Sequence, residues 1–91
     1  MLRISAHAVA RGLVMLRLDG QITGQWVKLV EVTCEAWLKR GAHIVIDLRH
    51  VSFVGREGLA LLRSLAERQV EVVNALPFIA GQIEKASHDI D

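Results

Sequence analysis

The rhythm of apolar and polar residues changes repeatedly along the chain, and each rhythm predicts an element. Residues 2–8 alternate, with Leu2, Ile4, Ala6 and Ala8 set against Arg3, Ser5 and His7, the period-two signature of a half-buried strand. Arg11-Gly12 marks a turn, and Leu13 to Leu18 is an almost continuous apolar run broken by Arg17. So short a connection predicts an antiparallel pair, closed by Asp19-Gly20. From Thr23-Gly24 the spacing becomes helical. Trp26, Leu29, Val30 and Trp37 form an apolar stripe, and Thr33 falls on it with a hydroxyl able to bond back to the preceding turn. Val27, Cys34 and Leu38 flank the stripe, and Val32 lies nearly opposite. Lys39-Arg40-Gly41 supplies a C-terminal signal of cations followed by glycine.

Ile44-Val45-Ile46-Asp47-Leu48 is β-branched and nearly all apolar, as a central strand in parallel pairing would be. Val51 to Gly55 leads into a second helix whose core face is Gly58, Leu59, Leu62, Leu65 and Ala66. Glu57, Ala60, Ser64 and Arg68 point the other way, and Leu61 sits on the flank. Val70 to Val73 reads as a fourth strand. Pro77 is well placed to open a third helix that continues through Phe78, Ile79 and Ile83 to about Ala86. The order is therefore β-β-α-β-α-β-α. Strand–helix–strand alternation implies right-handed parallel crossovers. The fold predicted is a single small α/β domain over residues 1–86, a four-stranded mixed sheet with about three helices mainly on one face. Residues 87–91 turn polar and are expected to fray.

Composition narrows what such a domain can do. The chain has 91 residues, 52% of them hydrophobic, and 11 Lys and Arg against 10 Asp and Glu give a formal net charge of +1. A nucleic-acid-binding domain normally carries a basic excess or stripe, so nucleic acid is not the expected partner. The lone cysteine, Cys34, excludes an internal disulfide and a Cys-based zinc cluster, and it reads as a small packing residue. No apolar run approaches a membrane span and no signal-peptide core precedes the first strand, so a cytoplasmic protein without direct membrane insertion is expected.

The polar residues offer little chemistry. His7, His43, His50 and His88 are scattered over separate elements without ligand spacing, so no metal site is expected, and no cofactor is implied. His50 follows a strand end and reads as a solvent-facing loop residue. Asp47 sits inside an apolar run, where a lone carboxylate is costly unless hydrogen-bonded; it is expected to receive backbone N–H bonds from the following loop. Gly55 can turn the chain out of the third strand, and Gly58 can let the helix approach the sheet closely. No nucleophile–base arrangement or paired carboxylate can be placed together, so no catalytic residue is assigned.

The segment from Ile44 to Leu62 resembles the central motif of the STAS domain, the sulfate-transporter and anti-sigma-factor-antagonist family. Asp47-Leu48, Val51, Phe53-Val54, Gly58-Leu59 and Leu62 stand at the matching places, and the early Leu18-Asp19-Gly20-Gln21-Ile22 is similar to the family's Leu-x-Gly-x-Leu stretch. The resemblance covers most of the chain and implies the fold read above, although the chain is short for the family. It departs where the family has Asp-Ser-Ser-Gly: here stand Gly55-Arg56-Glu57-Gly58. In phosphoregulated antagonists the serine before that Gly is modified by a partner kinase; Glu57 has no hydroxyl to modify, and neither Ser52 nor Ser64 matches the position. Three readings of Glu57 stay open: a first-turn acid favoured by the helix dipole, a permanent charge that partly imitates phosphoserine, or part of a site that binds constitutively.

What the resemblance implies is a non-enzymatic regulatory protein–protein interaction module, binding an anti-sigma kinase-like protein. The alternative is a cytoplasmic accessory subunit of an ABC-type lipid transporter, with transporter subunits as partners. A third reading, a small enzyme or ligand-binding domain using the loop from His50 to Arg56, has weaker support. The candidate partner-binding residues are Gly55, Arg56, Glu57, Leu61, Ser64 and Arg68. Exposure of Val27, Val32 and Leu38 would add an apolar patch for a homodimer or a partner helix.

Overall fold

The computed structural model describes residues 1–88, with side chains through Ile83. The elements are β1 (Leu2–Ala10), β2 (Leu13–Ile22), α1 (Gln25–Lys39), β3 (His43–Val54), α2 (Arg56–Glu67), β4 (Glu71–Val73) and α3 (Pro77–His88), in the order expected. They form one sheet of order β1-β2-β3-β4. The Arg11-Gly12 turn makes β1 and β2 antiparallel. Each helical crossover returns the chain parallel to the strand before it, so β3 runs parallel to both β2 and β4.

Period-two alternation decides which face is covered. Val14, Leu16, Leu18 and Ile22 of β2 and Ile44, Ile46 and Leu48 of β3 are buried beneath the helices, which add Val30 and Cys34 from α1, Leu62 and Leu65 from α2 and Ile79 from α3. Met15 and Val45, on the other face, are only half-buried, and Arg17 and Asp19 are exposed. Thr33 donates its hydroxyl to the Leu29 carbonyl at 2.8 Å, as its position on the stripe predicted.

Several boundaries and faces depart from the sequence reading. Asp19-Gly20 does not end β2, which continues to Ile22. Gly20 adopts φ +125° at an irregularity in the pairing, and a Cβ there would collide with the Met1 carbonyl. β3 likewise runs past Leu48 to Val54, so His50 is an exposed strand residue rather than a loop residue. In α1 the buried centre is Val30 and Cys34, while Leu29 is 40% exposed. The covered face of the helix is therefore offset from the predicted stripe, and Cys34 lies inside the core rather than at its edge. In α2, Ala66 is exposed and Leu59 half-buried, leaving Gly58, Leu62 and Leu65 as the covered face. Of the anticipated apolar patch, Val27 and Leu38 pack against the core and Val32 is exposed at 53%. α3 extends to His88, and residues 89–91 of the expected tail lie outside the described residues.

Candidate functional site

Parallel neighbours release their C-terminal loops at the same end of a sheet, and here β2 and β3 do so in register, Ile22 opposite Val54. The Gly55 N–H donates to the Ile22 carbonyl at 3.0 Å, which draws the β3–α2 connection against the β2–α1 connection. Gly58 is what permits the approach. A Cβ at that position would lie 2.7 Å from the Ile22 carbonyl oxygen and 2.8 Å from Val54 Cγ1, so the expectation that this glycine serves close helix–sheet packing holds. Gly55, in extended conformation, precedes α2 without a side-chain cap, and Gly24, at φ +54°, precedes α1 likewise uncapped.

Between the two loops lies an open cleft of about 250 Å³, lined by Thr23, Gly24, Val27, Gly55, Arg56, Glu57 and Gly58. Glu57 occupies the first turn of α2 and is exposed. Among the described residues its carboxylate makes no hydrogen bond or ion pair. The cleft's polar side chains are a hydroxyl, a guanidinium and a carboxylate, a set suited to recognising a polar surface.

The sequence-predicted partner residues separate into two groups. Gly55, Arg56 and Glu57 share the cleft, and Glu57 and Ser64 are exposed on the α2 crest. Leu61 is half-buried against the core. Arg68 turns toward α1 and donates from Nη1 to Glu35 Oε1. That contact holds the Glu35 carboxyl below its ordinary value, the hydrogen bond from Arg68 being the largest cause. Leu61 therefore faces inward, and Arg68 belongs to the α1–α2 seam. Their position on the helix wheel could not show this, because Glu35 comes from an element 33 positions away in sequence.

Asp47 is only 4% exposed although it lies on the face opposite the helices. Its Oδ1 accepts the Arg49 backbone N–H at 2.9 Å and the Asn74 side-chain amide at 3.2 Å, and Arg17 Nε stands 3.8 Å from Oδ2. The Arg49 N–H bond is the main reason its carboxyl is held below the ordinary 3.8; Asn74 and the charges of Arg49 and Arg17 act in the same direction, against burial. The backbone bond was expected. Arg17 and Asn74 were missed, yet both had a signal in the chain. Arg17 is the charge that interrupts the β2 run and sits in register with Asp47. Asn74 directly follows Val73, the β4 partner of Asp47, and takes the left-handed conformation that asparagine tolerates.

Cys34 is fully buried, and burial, with the Glu35 charge adding to it, pushes the thiol up to about 11. At neutral pH it is a protonated packing residue. Among the described residues no group of His, Cys, Asp and Glu could hold a metal ion, and no helix is long and apolar enough to cross a membrane.

The sheet order, the helical layer and the loop pair around Gly55 to Gly58 define a small α/β domain. The sequence model of the STAS domain matches residues 6–87, so the chain belongs to the STAS family. No curated protein matches it in sequence. Solved structures of the same fold include the anti-sigma factor antagonist SpoIIAA in its unphosphorylated form, 19% identical at a TM-score of 0.73 over 90% of this chain and 82% of that one. The Bacillus cell fate determinant SpoIIAA in the phosphorylated form is 20% identical at a TM-score of 0.69, over 92% of this chain and 83% of that one. An anti-sigma factor antagonist from Mycobacterium paratuberculosis is 21% identical at 0.67, over 79% of this chain and 64% of that one.

Proposed function

We propose that the protein is a non-enzymatic regulatory module that binds an anti-sigma-factor-type protein partner through the α2 N-terminus, and that it does so without phosphorylation at the family's switch position. The observation that carries this reading is Glu57, an exposed carboxylate, unpaired among the described residues, on the first turn of α2 beside the cleft. A fixed glutamate supplies about one negative charge where phosphoserine supplies up to about two. It cannot be switched by a serine kinase, so binding here is constitutive or is regulated from the partner's side. Arg56 and the exposed Ser64 extend the same surface. Leu61 supports it from the core side of α2, and Arg68 from the α1–α2 seam.

The missing hydroxyl also favours a second reading, an accessory subunit of an ABC-type lipid transporter, which needs no phosphorylation switch. Affinity capture of the tagged full chain from its own cells, followed by mass spectrometry, separates the two. An ATP-binding anti-sigma protein with its sigma factor supports the first; ATPase and permease subunits support the second. In either case Glu57→Lys should lose the captured partner while the melting temperature stays unchanged. Retention of the partner by that variant would remove Glu57 from the binding surface.

A further inference from the structure

We draw no further inference here: the strongest candidate, the outer edge of β1 beside the exposed Ala6 and Ala8, carries nothing because nothing in the structure shows what covers it.

Discussion

Two carboxylates ten residues apart have opposite fates in this protein. Asp47 is buried on a strand and takes hydrogen bonds from Arg49 and Asn74, with Arg17 close by. Glu57 stands on the first turn of α2, exposed and, among the described residues, unpaired. The chemistry is the same and the surroundings decide the role. A carboxylate removed from water must have its lone pairs satisfied by the protein, and so Asp47 fastens β3 to the β4–α3 connection. Glu57 remains hydrated, contributes little to the fold and is free to meet another surface.

The largest effect should come from Asp47. Asp47→Ala leaves the Arg49 N–H and the Asn74 amide without their acceptor, and hydrogen bonds to a charged group are worth about 1.5–3 kcal/mol each. A loss of about 2–3 kcal/mol in urea unfolding is expected, whereas Glu57→Ala should change stability by no more than about 0.5 kcal/mol, as surface substitutions usually do. Equal losses for the two variants would erase the distinction between them.

Asp47 also makes stability depend on pH. The folded Asp47 carboxyl titrates below its ordinary 3.8. Its stabilisation is therefore complete above the unfolded value and is lost as pH falls through the lower folded one. Wild type should weaken below about pH 4, and Asp47→Asn should flatten that slope. Denaturant midpoints measured from neutral pH down to acid give both answers.

Gly58 tests the frame on which Glu57 is mounted. Gly58→Ala forces a methyl against the Ile22 carbonyl and Val54, and overpacking of this kind costs about 1–3 kcal/mol. Thermal unfolding should show the loss, and partner capture should fall with it as the start of α2 moves away from the β2–α1 loop. The smallest effect belongs to the α1–α2 seam. A double-mutant cycle on Glu35→Ala and Arg68→Ala should give a coupling of about 0.2–1 kcal/mol, as for other partly exposed ion pairs. A coupling near zero would return Arg68 to the partner-facing surface where its helix position alone had placed it.

Much of the fold was legible in the chain because periodicity reports burial directly. The strands and helices fell where the apolar rhythm put them, and Gly58 was recognisable as a close-packing residue from its place at the start of an amphipathic helix. Boundaries at polar residues were less legible. Asp19-Gly20 and His50 look like strand ends, yet β2 and β3 run through them because neighbouring strands supply their backbone partners. The exposed place of Glu57 on the first turn of α2 was readable from its position on the helix. The half-burial of Leu61 and the pairing of Arg68 with Glu35 were not readable, because both depend on what packs beside α2. Cys34 and Leu29 exchanged places for the same reason.

The sequence by itself determined the order of elements, the side of each element that seeks a core and the presence of a carboxylate at the start of α2, because these follow from residue type and spacing along one chain. Tertiary structure decided the partners of Asp47, the pairing of Arg68 with Glu35 and the cleft between the two glycine-bearing loops. Each of these depends on which distant segment arrives alongside. Periodicity along a single element carries information about burial and none about its neighbour.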